Sequence, residues 1–305
     1  MRHIDDALVD ALIGPADAQQ VLLEAFRSFG EGRATMQERI RTEAGGVKLS
    51  TLGAVMPDQG FAGAKIYTTI AGQFRFVILL FDAVDGRPLA SLDATAITRL
   101  RTAATSVIAS RYLARPVAKV LALFGAGVQG RAHASQLARA YPIDQIRVCD
   151  PFAAATVFAE MERECGVSVR SCTANEALEG SDIVVTASRS RTPLFDGDRL
   201  PTGVFVAAIG SSLPDTRELD DRALARASIV AVDWDRQALK EAGDLVLADP
   251  VALAPSKVVQ LSALVTGVAS GRRQDDEITV YKSVGVGLQD VALAGLAWRR
   301  LQEQH

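Results

Sequence analysis

The stretch LFGAGVQGRAH, residues 123–133, constrains the fold of this chain more than any other segment. Its three glycines have the spacing Gly-x-Gly-x-x-Gly, with the apolar run VLALF before them and the helical pattern GRAHASQLARA after them. In such a unit the glycines permit a tight turn, a close approach of the backbone to a pyrophosphate, and close packing of helix on strand. The N–H groups at the start of the helix then bind the phosphates. The residues predicted to hold a dinucleotide are Gly125, Ala126, Gly127, Val128, Gln129 and Gly130.

A second cofactor signal lies at the end of the next apolar run, QIRVCD. Asp150 follows Gly130 by 20 residues, and a carboxylate at this point can accept hydrogen bonds from a ribose diol. The next residues are Pro151 and Phe152, so no arginine or lysine stands there to bind a 2′-phosphate. The sequence therefore favours NAD(H), and NADP(H) stays open as an alternative.

From the glycine loop onwards, short β-rich runs alternate with helical or loop segments. The runs are KVLALF, QIRVCD, VSVRSC, DIVVTAS, VFVAAIGS and SIVAVDW. This alternation is typical of an open, mostly parallel, doubly wound sheet. Beyond it, residues 262–271 predict a helix, EITVYKS an extended segment, and residues 284–302 a closing helix. We predict an α/β protein in which a Rossmann domain, 116–282, is inserted into an α+β domain formed by 1–115 and 283–305.

The first third of the chain has a different pattern. Residues 16–30 and 95–113 have apolar side chains at helical spacing. The segment from Phe74 to Phe81 is apolar on both faces, which predicts a strand covered from both sides. One N-terminal domain is too small to cover both faces, so we predict a homodimer. The extended segments predicted here are 36–43, 47–56, 61–70 and 73–82.

Charge and composition exclude several classes of protein. The net charge of −3 provides no basic stripe, so nucleic acids and anionic membranes are not expected partners. No apolar run approaches the ~20 residues that span a bilayer, and three acids in MRHIDDALVDALIG are unlike a signal peptide. The cysteines, Cys149, Cys165 and Cys172, form no Cys-x-x-Cys pair and no metal-binding spacing. We therefore predict a cytoplasmic protein without a metal site.

The groups available for proton transfer restrict the reaction. Hydride transfer to a carbonyl usually needs a proton donor, commonly His or a Tyr-Lys pair. The chain has three histidines, of which His3 and His305 are terminal and His133 follows the glycine loop, and it has no Tyr-x-x-x-Lys. An imine needs less help because its nitrogen is basic enough to arrive protonated. The sequence therefore favours an imine or an amine as the substrate.

The helix predicted over 95–113 carries an arginine on an apolar face. Arg101 shares this face with Ile97, Ala104 and Ile108 by helical spacing. Burial of a guanidinium on this face costs free energy unless an anion pairs with it. That anion is either a carboxylate of the protein, in a structural salt bridge, or the carboxylate of a substrate bound in fork geometry.

Three further cations lie upstream. Lys65, in GFAGAKIYTTI, is flanked by small residues that leave room beside its side chain. Arg39 and Arg41 lie on one face of an extended segment. Taken alone, either arginine is more typical of a solvated surface charge.

Several blocks of the sequence, in this order, resemble the ornithine cyclodeaminase/mu-crystallin family. The resemblance runs from about residue 20 to 300 and implies a dimer, in which an N-terminal α+β domain pairs its sheets and a Rossmann domain binds NAD(P). The blocks are Met-Pro at 56–57, Gly-x-Lys at 63–65, LRTAATS and LARP within 100–116, GAGVQ at 125–129, SDIVVTAS at 181–188, AIGSSLPDTRELD at 208–220 and ITVYKSVGVGLQD at 278–290.

The resemblance implies roles for particular residues. Lys65 and Arg101 match the family's substrate-binding lysine and arginine. A second carboxylate-binding arginine belongs upstream of the Met-Pro, and this is either Arg39, which we favour, or Arg41. The resemblance extends the predicted cofactor site to Thr102, Ala187, Ser188, Gly210, Ser211 and Ser283.

Members of this family include ornithine cyclodeaminase, alanine dehydrogenase, and reductases of ketimines and of Δ1-pyrroline-2-carboxylate. We favour NAD(P)H-dependent reduction of a small α-imino acid, with Lys65, Arg101 and Ser212 as catalytic residues. In ornithine cyclodeaminase the position of Ser212 is an aspartate, and a serine hydroxyl is a poor replacement as a base or as an anion for a diamine. A third alternative is a mu-crystallin-like protein that binds a ligand and NAD(P)H without catalysis.

Overall fold

The structure is a computed structural model that describes residues 1–304. Its strands are β1 (Arg2–Ile4), β2 (Thr35–Met36), β3 (Ile40–Ala44), β4 (Val47–Met56), β5 (Phe61–Ile70), β6 (Gln73–Asp82), β7 (Pro88–Asp93), β8 (Val120–Phe124), β9 (Gln145–Cys149), β10 (Ser168–Ser171), β11 (Ile183–Thr186), β12 (Phe205–Ala208), β13 (Ala227–Val232), β14 (Val258–Gln260) and β15 (Ile278–Lys282). Its α-helices are α1 (Asp6–Leu12), α2 (Pro15–Gly30), α3 (Thr95–Leu113), α4 (Val128–Ala140), α5 (Ala155–Cys165), α6 (Ala174–Leu178), α7 (Asp221–Arg226), α8 (Asp235–Glu241), α9 (Gly243–Val246), α10 (Leu261–Val265) and α11 (Gly287–Glu303). Short 3-10 turns lie at Pro57–Gln59, Gly197–Arg199 and Pro255–Lys257.

The chain divides into two compact units. The first runs from Met1 to Thr105 and from Gly285 onwards, and the second is Ser106–Val284. The division falls within α3 and again just after β15, so the second unit is an insertion in the chain of the first. The functions that the sequence predicts for the two domains stay predictions at this point.

The first unit is built on a seven-stranded sheet in the order β1-β7-β6-β5-β4-β2, with β3 also paired to β4. All its pairs are antiparallel except β1 with β7. Alternate residues of β4 and β6, such as Leu52, Ile78 and Leu80, are fully buried. The closing helix α11 covers this face, where it contacts β4, β5 and β6. The face is the core of the first unit.

The opposite face of the same sheet is apolar and partly uncovered. Strand register puts five large apolar side chains of β3, β4 and β5 on it, each between 41% and 52% exposed. In β6, Val77, Leu79 and Phe81 on this face are half-buried. The predicted two-sided apolar character of 74–81 is therefore present, and the homodimer stays a prediction. The exposed side chains, which we call the outer sheet face, are Ile40, Val47, Leu49, Val55 and Ile70.

The second unit is an eight-stranded, wholly parallel sheet in the order β10-β9-β8-β11-β12-β15-β13-β14. Its strands are apolar and buried on both faces, as the consecutive residues Val184 and Val185 of β11 show by their complete burial. The chain winds outwards in one direction from β8 to β9 and in the other from β8 to β11. In such sheets ligands bind at the carboxyl ends of the strands where this direction changes. The predicted doubly wound α/β fold is confirmed.

Some elements differ from the sequence predictions. The segment predicted as one strand over 36–43 is broken into β2 and β3, and the helix predicted over 262–271 is limited to α10. The short elements β1, α1, β7 and β14 were not predicted, because segments of three to seven residues carry too few positions for a period to be visible. Among residues 1–304, the structure contains no helix with the length and apolarity that a membrane crossing requires.

Candidate active site

The glycine loop of the second unit lies between β8 and α4, as the sequence predicts. Gly125 has a φ of +100°, and a Cβ on it would lie 2.7 Å from the carbonyl oxygen of Ala187. A Cβ on Gly130 would lie 1.9 Å from the carbonyl oxygen of Gly125. Gly127, the N-cap of α4, has no atom within 4 Å of the corresponding position. The loop thus requires glycine at two positions and leaves open space at the third, which is what a pyrophosphate at a helix N-terminus needs.

Asp150 follows β9 and lies beside this loop. Its Oδ2 accepts a hydrogen bond of 2.7 Å from the Ala126 N–H, and its Oδ1 accepts one of 2.9 Å from the Phe152 N–H. Each carboxylate oxygen has two lone pairs, so both can accept a further bond from a ribose hydroxyl. The residues of the loop and Asp150 fit the adenosine and pyrophosphate parts of a dinucleotide.

A buried glutamate joins the ends of β11 and β12. Glu218 is fully buried, and its Oε1 accepts bonds of 2.7 Å from both the N–H and the Oγ of Ser188. Its Oε2 accepts bonds from the Gly210 N–H at 2.7 Å and from the Thr186 Oγ1 at 2.8 Å. The sequence prediction named Ser188 and Gly210 but missed Glu218. The signal was present, since this acid lies ten residues after β12 in the block that carries the family resemblance.

The remaining predicted residues of the second unit lie near the carboxyl ends of its strands. Ser283, just after β15, donates a bond of 2.9 Å to Asp233 Oδ2. Ser211 donates a bond of 2.6 Å to the carbonyl oxygen of Thr216, and the next residue, Ser212, is half-buried. Asp233 was not predicted; it also accepts a bond from the Val284 N–H at 2.8 Å.

His133 is part of the protein interior. It is fully buried, with Nε2 2.9 Å from Ser106 Oγ and Nδ1 2.7 Å from the carbonyl oxygen of Gln129. These contacts occupy both ring nitrogens, so the side chain supports the turn after the glycine loop. His3 is exposed, and His305 lies outside the described residues.

A cluster of charged side chains is buried in the first unit. Strand alternation places Lys65 on the covered face of β5, where it lies opposite Leu52 and Ile78. Its Nζ donates hydrogen bonds to Thr98 Oγ1 at 2.6 Å and to Asp290 Oδ1 at 3.2 Å. The same nitrogen lies 4.5 Å from the centroid of the Phe76 ring, which is a cation–π contact.

Two arginines complete this cluster, which we call the cationic cluster: Lys65, Arg101, Arg39 and the carboxylate of Asp290. Arg101 is buried, donates a bond of 3.0 Å from Nη1 to Gln289 Oε1, and has its Nε 3.6 Å from Asp290 Oδ1. Arg39 Nη2 donates a bond of 2.8 Å to the carbonyl oxygen of Gly285. Both alternatives for Arg101 stay open, because a protein carboxylate lies within ion-pair distance while two cations, Lys65 and Arg101, share it.

Burial, together with the charges of Arg101 and Arg39, lowers the pKa of Lys65 to about 8, and Asp290 opposes this shift. The cluster contains three cations and one carboxylate, so it carries a net positive charge suited to an anion. At neutral pH the ammonium is protonated but close to releasing its proton, which suits acid–base work.

The structure brings some of the predicted residues together and leaves others apart. Arg41 is half-buried in β3, and Thr102 donates a bond of 2.6 Å to the Thr98 carbonyl of its own helix. Asp290, Gln289 and Thr98 were not predicted. An acid inside the apolar run of the closing helix was a signal for Asp290, since burial of such a charge is costly without a partner.

The parallel sheet, the glycine loop and Asp150 define a dinucleotide-binding protein of the Rossmann class. The model of the ornithine cyclodeaminase/mu-crystallin family matches residues 6–305, and the chain belongs to this family. The prediction of the family is confirmed.

The known proteins that are similar to the chain include two reductases and a probable ornithine cyclodeaminase. The Δ1-pyrroline-2-carboxylate reductase of Bacillus cereus is 34% identical over 269 residues, which are 86% of this chain and 79% of the reductase. The structure of a probable ornithine cyclodeaminase from Bordetella pertussis Tohama I matches with a TM-score of 0.99 at 57% identity, over 100% of this chain and 98% of that one. The Δ1-pyrroline-2-carboxylate reductase of Thermococcus litoralis, in complex with NADH and L-proline, matches with a TM-score of 0.92 at 28% identity, over 100% and 98%. Both reductases are named for a substrate with a carbon–nitrogen double bond, and one of them is bound to NADH. This agrees with the chemistry that the sequence predicts.

Proposed function

We propose that this chain is an NAD(P)H-dependent reductase of a small α-imino acid, of the ketimine or Δ1-pyrroline-2-carboxylate type. The observation that carries the proposal is the cationic cluster of the first unit. A buried lysine and two arginines give the cluster a net positive charge that can bind a substrate carboxylate, and the lysine can donate a proton. The two similar reductases act on Δ1-pyrroline-2-carboxylate. The first unit is thus the proposed substrate domain and the second the proposed cofactor domain.

The residues of the cluster have separate roles in this proposal. Arg101 binds the substrate carboxylate through its planar fork, and Arg39 adds a second guanidinium. Arg39 is preferred to Arg41 because its charge acts on Lys65. Lys65 supplies positive charge beside the carboxylate and a proton for the nitrogen. Ser212 donates or accepts one hydrogen bond at the nitrogen or at a bridging water.

The geometry of the glycine loop supports the proposed cofactor site. The backbone of the glycine loop and the N-terminus of α4 would hold the pyrophosphate, and Asp150 the ribose diol of NAD(H). When bound, the nicotinamide supplies the hydride for the C=N bond. The residues further proposed to line the cofactor site are Thr102, Ala187, Ser188, Gly210, Ser211 and Ser283.

A screen of NADH oxidation tests the proposal. We expect turnover with Δ1-pyrroline-2-carboxylate, Δ1-piperideine-2-carboxylate, or pyruvate supplied with methylamine. Arg39→Ala and Arg41→Ala form a matched pair, and only the first is expected to raise KM. Absence of turnover with every imino acid, although NADH binds, would favour a mu-crystallin-like binding protein instead.

Ornithine cyclodeamination is the second candidate, favoured by the similarity to the probable cyclodeaminase of Bordetella pertussis. That reaction starts from a charged diamine and needs a base near the α-nitrogen and an anion for the ammonium. Ser212 is a poor group for both tasks. Incubation with L-ornithine and NAD, followed by assays of ammonia and proline, distinguishes the two candidates. Efficient formation of proline would show that cyclodeamination, and not imine reduction, is the function of the chain.

We also propose that the chain is a homodimer. The outer sheet face presents five apolar side chains that a second copy would cover. Light scattering at micromolar concentration should give twice the mass of one chain. Leu49→Lys should weaken the dimer, while Val251→Lys, at an exposed position of the second unit, should leave it intact. A monomeric wild-type protein would contradict the proposal.

A further inference from the structure

Asp290 is a buried carboxylate for which the proposed function has no role. It lies in the first turn of α11, where the helix dipole favours a negative charge, and its side chain is fully buried. Its Oδ1 lies 3.2 Å from Lys65 Nζ and 3.6 Å from Arg101 Nε. Within residues 1–304, Oδ2 accepts no hydrogen bond. One oxygen atom is therefore shared between two cations.

Among the charged groups that face Lys65, the carboxylate of Asp290 is the one that stabilises the positive charge of the lysine. The charged groups that face Lys65 are Arg101 from α3, Arg39 from the segment before β3, and Asp290 from α11. Thr98 and Phe76 contribute a hydroxyl and a ring. Burial and two guanidinium groups all disfavour a protonated lysine. Asp290 is the group that opposes them.

We propose that Asp290 is a positioning residue, which keeps the Lys65 ammonium protonated and fixed beside Thr98 during imine reduction and weakens the binding of the substrate carboxylate in doing so. The proposal rests on the proposed function. Its two effects have one cause, the negative charge. An anion next to Lys65 stabilises the ammonium, and the same anion repels a carboxylate ligand.

This double effect separates a positioning role from a structural one. Without the negative charge, the net positive charge of the cluster increases, so a carboxylate should bind as tightly as before or more tightly. The lysine, in contrast, should lose its proton at a lower pH. A residue that only supports the fold would weaken binding and turnover together when it is replaced.

The variant Asp290→Asn tests this with Δ1-pyrroline-2-carboxylate and NADH between pH 6 and 10. In the wild type, kcat/KM should fall as the pH rises through about 8, because kcat/KM reports the free enzyme and the acid is lost there. In the variant we expect the midpoint of this fall to move down by about one unit or more. At pH 8 the protonated fraction of Lys65 should fall about fivefold, and we expect kcat/KM to fall with it while KM stays unchanged or decreases. Asp290→Glu should restore the midpoint towards that of the wild type.

Val291→Ala, in the same buried turn of α11, is the matched control. It should lower thermal stability without moving the pH midpoint. If Asp290→Asn does not fold, Asp290→Ser is a second neutral replacement with the same expected outcome. A rise in KM at an unchanged midpoint in either variant would overturn the proposal.

A direct titration makes the result independent of turnover. Lysine labelled with 13C at Cε reports each ammonium by NMR, and the Lys65 signal is the one missing from Lys65→Met. The Lys65 midpoint should be about 8 in the wild type and lower by about one unit or more in Asp290→Asn. An unchanged midpoint would overturn the role of Asp290. Absence of turnover in the wild type, with the midpoint shifted as expected, would instead overturn only the proposed function.

Discussion

Glu218 in the second unit and Asp290 in the first are both fully buried carboxylates, but their surroundings differ. Glu218 receives four hydrogen bonds from neutral donors, two from Ser188 and one each from Gly210 and Thr186. Asp290 faces the cations of Lys65 and Arg101 through one oxygen. The first carboxylate completes a network of the protein, whereas the second only partly balances a charged cluster.

Each of these surroundings suits the proposed ligand of its unit. Saturated hydrogen bonds around Glu218 hold two strand ends in a fixed position, which a cofactor bound mainly through backbone groups requires. The cationic cluster keeps more positive than negative charge, so an anion completes it. The hydrogen bonds around Glu218 fix the shape of the second unit, whereas the cationic cluster supplies charge for the proposed reaction. The following predictions test this comparison.

Lys65→Met should have the largest effect on activity. It removes the proposed proton source, for which we expect a loss of about 10²- to 10⁴-fold in kcat/KM. NADH affinity, measured by fluorescence, should be unchanged because the proposed cofactor residues keep their contacts. Lys48→Met, in the neighbouring strand and paired with Glu43, is the control that should retain activity. Loss of both turnover and NADH binding would assign Lys65 to folding.

Glu218→Gln should act on stability and cofactor binding. The amide keeps the shape but sets an NH2 group against donors that need an acceptor, which should cost about 2 to 4 kcal/mol in the free energy of unfolding. Urea denaturation measures this change, and the Kd of NADH should rise because Ser188 and Gly210 lose their anchor. Glu164→Gln, at the surface beside Arg131, should change little. A destabilised variant with unaltered NADH affinity would contradict the role given to Glu218.

Arg101→Lys should raise KM for the imino acid by about tenfold or more, because an ammonium cannot bind a carboxylate in fork geometry. Arg99→Lys is the matched control on the same helix, where Arg99 pairs with Asp10 near the surface. Steady-state kinetics of both variants give the comparison. Unaltered kinetics in Arg101→Lys would leave Arg101 as a structural partner of Asp290.

The preference for NADH over NADPH should be the smallest effect, a several-fold ratio of kcat/KM. Asp150 repels a 2′-phosphate, and no arginine or lysine follows it directly. Asp150→Ser should reduce this ratio, as measured with both cofactors at saturating imino acid. A preference for NADPH in the wild type would show that the end of β9 has been misinterpreted.

Local patterns predicted most of the architecture. Helix α2, the long strands β4, β5 and β6, and helix α3 lie where periodicity indicated them, because each is long enough to show its period. The glycine loop was predicted for the same reason, since its turn, its close contact and its helix are all encoded within six residues. Short β1 and β14 were not predicted, since they exist only through pairing with β7 and β13.

Residues close together along the chain were enough to predict the class of fold, the glycine loop and the cations expected to bind a carboxylate. It indicated the face on which Arg101 lies, because that information is contained in neighbouring residues. Tertiary folding brings Asp290 to Lys65 across 225 positions of the chain, and Arg39 to Gly285 across 246, and no local pattern predicted either contact. A periodic pattern records which side of an element is buried. It does not record which distant charge will share that interior, and the pKa of Lys65 depends on that charge and on burial together.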